Sequence, residues 1–149
     1  MSNEGAAAAL LATLHTCHSD IEEYDVRIWG DYDFGGETRH RTHLETGRDG
    51  DSYCAEIRGA LEVNPSPDTN NAFYVRLLLW LSPEGARVES YVEAHLDEAI
   101  GDYGPGSYVL HERRTDNLDL DGALRAAREH VDALYESEDY PKTLGLSPR

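Results

Sequence analysis

Hydrophobic residues change their spacing along the chain, and each change predicts a different element. Residues 5–18 place leucines at helical spacing within an alanine-rich run, which predicts a short amphipathic helix. Beyond them, Tyr24, Val26 and Ile28 recur at every second position. Because the side chains of a strand point alternately to its two faces, this alternation predicts a half-buried first strand that reaches toward Phe34.

Five more segments have the pattern of strands. They are residues 38–46, 53–63, 73–81, 88–96 and, as a short last strand, 108–111. The weak alternation of the first of them predicts an edge strand, whereas the nearly continuous apolar run 73–81 predicts a central strand with both faces covered. Two prolines and three asparagines within 64–71 predict a loop. Stretches rich in glycine and aspartate predict the other hairpin turns.

A second helix is predicted late in the chain. It begins near Asp119 or Asp121, either of which can cap its first turn. One apolar stripe runs along it, formed by Leu120, Leu124, Ala127, Val131 and Leu134. The tail from about residue 140 is predicted to be irregular. Residues 1–149 thus predict one acidic α+β domain, in which an antiparallel sheet of about five to six strands is flanked by an N-terminal and a C-terminal helix.

The charge of the chain is strongly unbalanced. Its 29 aspartates and glutamates stand against 12 arginines and a single lysine, which gives a formal net charge of −16. A chain of this kind repels nucleic acids and anionic membranes and attracts basic proteins. Two interpretations stay open. One is an acidic face that binds a basic partner, and the other is salt adaptation, in which carboxylates keep a halophilic or viral protein hydrated.

The sequence has no feature of a membrane-spanning or exported protein. The longest apolar stretch, 73–81, is much shorter than the roughly 20 residues that span a bilayer. The N-terminus lacks the basic region of a secretion signal. Cys17 and Cys54 lie in unlike contexts, and their spacing does not indicate a disulfide framework. We therefore expect a cytoplasmic protein with reduced thiols.

Residue patterns that indicate catalysis or metal binding are sparse. His15, Cys17 and His18 lie close together, but zinc requires three or four ligands and no spacing specifies the others. Residues 116–122 place acids two apart before a glycine, as calcium loops do, yet that register puts Arg128 where a bidentate glutamate is required. The sequence has no nucleophile elbow and no glycine-rich phosphate loop. We predict no catalytic residue, no metal and no cofactor, and a small enzyme with an unrecognised site is kept only as an alternative.

Two of the predicted strands carry aromatic residues among acids on their solvent-facing sides. If both strands shared one face of the sheet, that face would present Asp25, Trp29, Asp31, Glu89, Tyr91 and Glu93. Aromatic residues are enriched at the cores of protein interfaces, and the acids would select a basic partner. The alternative is that a helix covers Trp29 and Tyr91.

The second helix supplies further candidates for a binding surface. Acidic residues crowd its C-terminal half and the segment after it, namely Glu129, Asp132, Glu136, Glu138 and Asp139. Anions are unfavourable at this end because the helix dipole places partial negative charge there, at a cost of roughly 0.3–1 kcal/mol for each exposed acid. A basic partner would offset this cost, and high salt would screen it.

These observations favour a non-enzymatic binding protein whose acidic surface binds and inhibits a basic, nucleic-acid-binding partner. Rows of carboxylates could imitate the phosphates of duplex DNA, which present one charge per about 1.7 Å of axis. A small acidic chaperone of the secretion type ranks last, because residues 64–71 leave no room for the dimerisation helix that such chaperones place between the third and fourth strands. The exposed edge at 38–46 could pair with a second copy, so a homodimer stays open.

Overall fold

A computed structural model describes residues 3–30, 32–34, 36–66, 69–136 and 140–148. Its elements, in chain order, are α1 (Asn3–Trp29), β1 (Tyr32–Asp33), β2 (Glu37–Asp49), β3 (Ser52–Ser66), β4 (Thr69–Ser82), β5 (Gly85–Leu96), β6 (Gly106–Leu118), α2 (Leu120–Glu136), α3 (Tyr140–Thr143) and β7 (Ser147–Pro148). Strands β2 to β6 form one antiparallel sheet in the order of the chain, and β1 pairs with β7 apart from it. The predicted α+β fold, with an antiparallel sheet flanked by an early and a late helix, is confirmed.

Both long helices pack on the same face of the five-stranded sheet. The first helix lies against β2 and β3, the second lies against β4, β5 and β6, and the two helices contact each other. Strand β5 alternates between half-buried and buried positions along its whole length, with the buried side chains in the core beneath the helices. On the opposite side of the sheet the small side chains of Ala60 and Ala72 are buried and the larger side chains are half-buried or exposed; we call that side the open face.

The first helix is longer than the sequence predicted, and the predicted strand at 24–29 is wrong because those residues are helical. The apolar residues that fix the helix recur at intervals of three and four and are all buried: Leu14, Cys17, Ile21 and Tyr24. Val26, which the strand pattern placed in the core, is 54% exposed. The helix ends on Trp29, whose ring centroid lies 4.9 Å from that of Phe73 on β4.

Strand β4 is central, as predicted, but the prediction that both of its faces are covered is wrong. Its helix-facing residues, such as Phe73 and Val75, are buried. On the open face, Leu78 is half-buried and Trp80 is 38% exposed. The apolar run therefore contributes to the core on one side and to a solvent-facing surface on the other.

Two segments that were predicted to lack regular structure take part in pairing. Strand β3 continues to Ser66, which pairs with Thr69 at the start of β4, so residues 64–66 and 69–71 of the predicted loop belong to strands, and residues 67 and 68 lie outside the described residues. In the tail, α3 is a single turn and β7 pairs with β1, with Ser147 opposite Asp33. Residues 140–143 and 147–148 of the tail are therefore regular, in place of the irregular structure predicted there.

The last strand and the second helix meet at a capped junction. Strand β6 runs far beyond the predicted segment 108–111 and ends at Leu118. Asp119 then caps α2, because its Oδ1 accepts a hydrogen bond of 2.7 Å from the backbone nitrogen of Gly122. The predicted stripe is largely confirmed, since Leu124, Ala127, Val131 and Leu134 are buried. No helix in the described ranges has the length and apolar character needed to cross a membrane.

One buried polar residue ties α2 to the sheet. His130 is fully buried, and hydrogen bonds join its Nδ1 to Ser90 Oγ at 2.8 Å and its Nε2 to Thr115 Oγ1 at 2.9 Å. Burial, together with the nearby charges of Arg113 and His111, lowers the pKa of His130 to about 4. The imidazole is therefore neutral in the folded protein at neutral pH, with both nitrogens engaged.

Candidate functional site

The first half of the predicted aromatic and acidic face consists of Asp25, Trp29 and Asp31, and the structure does not place these residues on a strand beside β5. Trp29 is fully buried in the core and cannot contact a partner. Because residues 24–29 are helical, they share no strand face with β5. The side chain of Asp25 and the whole of Asp31 lie outside the described residues. Of the alternative, that a helix covers Trp29 and Tyr91, only the burial of Trp29 is confirmed, because Trp29 is itself the last residue of α1 and Tyr91 is half-buried on the open face.

Glu89, Tyr91 and Glu93, the second half of the predicted face, lie together on the open-face side of β5, as the alternation predicted. Its acids, however, are engaged by arginines. Arg76 Nη1 donates a hydrogen bond of 2.9 Å to Glu93, and Arg114 Nη1 lies 3.6 Å from Glu89. The guanidinium of Arg76 also lies over the ring of Tyr91, 5.8 Å from its centroid. Arginines within the molecule therefore offset the charge of these acids.

The same pairing extends over the whole open face. Six of the twelve arginines lie there, each within 4.0 Å of a carboxylate oxygen: Arg39, Arg41, Arg58, Arg76, Arg87 and Arg114. Arg76 is at the centre, and its Nε donates to Glu56 at 2.8 Å. Burial alone would raise the pKa of Glu56, but the hydrogen bond and charge of Arg76 hold it below its ordinary value. The excess of negative charge must therefore lie mainly on the rest of the surface.

The predicted acidic end of α2 is only partly described. Glu129 and Asp132 are exposed, and they line a cleft of about 360 Å³ between α1 and α2. Arg125 and Arg128 line the same cleft, so its charge is mixed. The side chain of Glu136, and the residues Glu138 and Asp139, lie outside the described residues.

A large cleft lies at one end of the sheet, and the sequence did not predict it. The β2–β3 turn, the β4–β5 turn and the junction of β6 with α2 surround a space of about 750 Å³. Its floor consists of half-buried apolar side chains that pack against the core: Tyr53, Leu81, Leu118 and Leu120. Its rim carries three exposed acids: Asp51, Glu84 and Asp119. We call this site the acidic-rimmed cleft.

The rim acids differ from the acids of the open face in forming no ion pair with an arginine, although Arg87 lines a neighbouring cleft together with Glu84. Among the described residues, no cation lies within ion-pairing distance of Asp51, Glu84 or Asp119. The carboxylate of Asp119 accepts the capping hydrogen bond, whereas the side chains of Asp51 and Glu84, in the two turns, are exposed to solvent. The cleft has the size of small-ligand sites, roughly 300–1,000 Å³. Unpaired carboxylates around an apolar floor suit a basic group that stands next to an apolar one.

Each rim acid looks like an ordinary turn or cap residue in the sequence. They are more than thirty residues apart along the chain, and aspartate and glutamate are common in turns. The signal that could have revealed them is topological. In an antiparallel meander, every second connection returns to the same end of the sheet, which brings these three connections together.

A chain of polar contacts on the open face has the order of a catalytic triad. Ser107 Oγ lies 3.1 Å from His95 Nδ1, and His95 Nε2 lies 3.2 Å from Glu93 Oε2. Acyl transfer also requires hydrogen-bond donors aimed at the developing oxyanion. Strand β5 is flanked by β4 and β6, so its backbone amides are engaged in the sheet. Glu93 is in addition bound by Arg76. The contacts are those of cross-strand neighbours on an ion-paired surface.

The histidine and cysteine group considered as a metal site lies on helix α1. Cys17 is buried, and burial together with the nearby Asp20 raises the pKa of its thiol to about 12, which disfavours the thiolate that zinc requires. His15 and His18 are on the same helix. Within the described ranges, no three histidine, cysteine, aspartate or glutamate side chains are placed to hold a metal ion.

The chain has no match among family models, curated proteins or solved structures. A function must therefore be argued from the geometry of the surface itself, since a fold alone does not specify one. Of the surfaces described, the acidic-rimmed cleft alone combines an apolar floor with carboxylates that no described cation neutralises.

Proposed function

We propose that this protein is a non-enzymatic binding module that takes a basic segment of a partner protein into the acidic-rimmed cleft. The supporting observation is the contrast between two sets of acids. Glu89 and Glu93 on the open face form ion pairs with arginines, whereas Asp51 and Glu84 at the rim have no ion-pair partner among the described residues. Acids left unpaired beside an apolar floor are available to an external cation.

The chemistry of the cleft defines the class of segment that it fits. The apolar floor suits one leucine-sized or aromatic side chain, because burial of apolar surface supplies most of the affinity at interface cores. Asp51 and Glu84 on the rim suit arginine or lysine on either side of that residue. The negative charge of the whole chain would speed the approach of a basic partner and repel nucleic acids.

Such a segment is typical of proteins that bind nucleic acids, which contact phosphates through lysine and arginine. A module that covers those basic residues would prevent the partner from binding DNA or RNA. We therefore propose inhibition of a nucleic-acid-binding protein as the consequence of docking. The competing interpretation, salt adaptation, requires no partner and treats every surface acid alike.

The experiment is affinity capture from the native host at increasing salt, with three forms of the protein. The rim variant carries Asp51→Asn and Glu84→Gln, and the matched control carries Glu98→Gln and Asp102→Asn at the opposite end of the sheet. We expect the wild type and the control to retain one basic protein at low salt and to release it as salt screens the charges. The rim variant should fail to retain it. The captured protein should bind its nucleic acid less well when the wild type is added.

Two results would contradict the proposal. Equal capture by the rim variant would place the binding surface elsewhere. A protein that unfolds at low salt and captures nothing specific would show that the acids serve hydration, because a salt-adapted fold needs high ionic strength to screen its own repulsion. Circular dichroism across the same salt series distinguishes loss of the fold from loss of the partner.

A further inference from the structure

The two edges of the sheet are protected to very different degrees. Strand β6 has two register shifts against β5, one between Ala86 and Val88 and the other between Val92 and Glu93. Such irregularities blunt an edge by bending it away from further pairing. Strand β2 has no register shift against β3. Its pairing is continuous from Glu37 opposite Asn64 to Asp49 opposite Ser52.

Strand β2 is also uncovered. None of its thirteen residues is buried, although α1 packs near its helix-facing side. It contains no proline, the residue that most effectively blocks strand pairing. A long, straight and open edge leaves a row of backbone N–H and C=O groups that can pair with another strand.

The charges on β2 select the partner strand. On the open face, the first half of β2 carries Arg39 and Arg41, two cations that share the single acid Glu62 of β3, and the second half carries Glu45 and Asp49. An antiparallel second copy would place the basic half of one strand opposite the acidic half of the other. A parallel copy would place like charges together, which is unfavourable for residues directly opposite each other.

Two further properties favour the same arrangement. The six charged residues of β2 are three arginines and three acids, so the strand is neutral on a chain of net charge −16. Contact through a neutral strip keeps the acidic surfaces of two copies apart. Leu44, the one large aliphatic side chain of β2, is half-buried on the helix side. A second copy would cover it.

We propose that β2 pairs antiparallel with β2 of a second copy of this chain, around a two-fold axis near His43 and Leu44, so that the sheet continues across both copies. The interface is independent of the acidic-rimmed cleft, which lies beyond the turn at the end of the strand. Each dimer would therefore carry two clefts.

The test uses two complementary charge variants. One has an acidic edge, with Arg39→Glu and Arg41→Glu, and the other has a basic edge, with Glu45→Arg and Asp49→Arg. We expect sedimentation to give a dimer for the wild type, a monomer for each variant alone, and a heterodimer for their equimolar mixture. The heterodimer should form because opposite charges then face each other in either direction of pairing. Glu112→Arg on β6 serves as the control and should remain dimeric.

A second measurement does not depend on the variants. Hydrogen exchange of the wild type at low and high protein concentration should show slower exchange in β2 at high concentration, and no change in β6. A wild type that remains monomeric at millimolar concentration would overturn the proposal. So would folded variants that fail to form a heterodimer, or that stay dimeric alone. The rim variant of the cleft should dimerise normally, so failure of the proposed binding function and failure of this interface are distinguishable.

Discussion

The buried His130 makes the stability of the fold depend on pH in a calculable way. Its pKa is about 4 in the folded protein, against an ordinary value of 6.5. Because the folded state resists protonation, the unfolded state takes up the proton first as the pH falls below 6.5, and stability is lost progressively down to about pH 4. At 1.36 kcal/mol for each unit of pKa, this amounts to about 2 kcal/mol by pH 5 and about 3 kcal/mol by pH 4.

The perturbation that isolates this contribution is His130→Gln, which keeps hydrogen-bonding capacity for Ser90 and Thr115 but cannot titrate. The variant starts less stable at pH 7, and its stability should fall much less between pH 6.5 and 5. Urea denaturation at several pH values measures the free energy of unfolding of both proteins. The contribution of the many carboxylates is common to both, so it cancels in the difference between them. For a chain of this size, the wild type should lose an additional roughly 4–8 °C of Tm by pH 5. Parallel stability curves for the two proteins over this window would refute the assignment of a neutral, buried imidazole.

Three further outcomes follow from particular contacts. Replacing Arg76 by Met leaves its two partner glutamates without their central cation and should cost about 1 kcal/mol at pH 7, a cost that urea denaturation should show shrinking at low pH. Gly101→Ala should destabilise the fold more than Gly50→Ala, for which about 1–2 kcal/mol is expected. Both have positive φ, of 55° and 59°, but only at Gly101 would a Cβ lie 2.9 Å from a backbone oxygen, that of Leu144. Equal urea midpoints for the two would contradict this. Ser107 should not react with a fluorophosphonate probe, because its contact with His95 is that of a cross-strand neighbour. A labelled Ser107 in mass spectrometry would contradict this and would indicate an esterase-like site.

The sheet could be predicted from the sequence because period-two alternation is a local property of each strand. The assignments at 53–63 and 88–96 are confirmed within β3 and β5 for this reason. The sequence predicts too short a first helix, because the spacing of Tyr24 and Ile28 fits both a helix and a strand over so few residues. What decides between them is Ile21 and the rest of the buried stripe, which continue the helix from its first half. Strand ends were misjudged where tertiary pairing overrides the local preference of proline and asparagine.

The candidate site was less predictable than the fold. The alternation of β5 correctly placed Glu89 and Glu93 on one face, but it could not reveal that arginines from neighbouring strands neutralise them. Those partners depend on the register between strands, which no single segment contains. The acidic-rimmed cleft depends on the same information, since Asp51 and Glu84 come together only when alternate turns of the meander meet.

The most direct test of the proposed function is to map where a basic peptide binds. The probe is a short arginine-rich peptide with one central leucine, titrated into isotopically labelled protein and followed by NMR at low salt. The proposal predicts shifts confined to the acidic-rimmed cleft, around Tyr53, Leu81 and Leu118, and their loss in the rim variant but not in the Glu98→Gln and Asp102→Asn control. Shifts spread over all exposed acids, equal in both variants, would contradict it and would leave the charge without a specific partner.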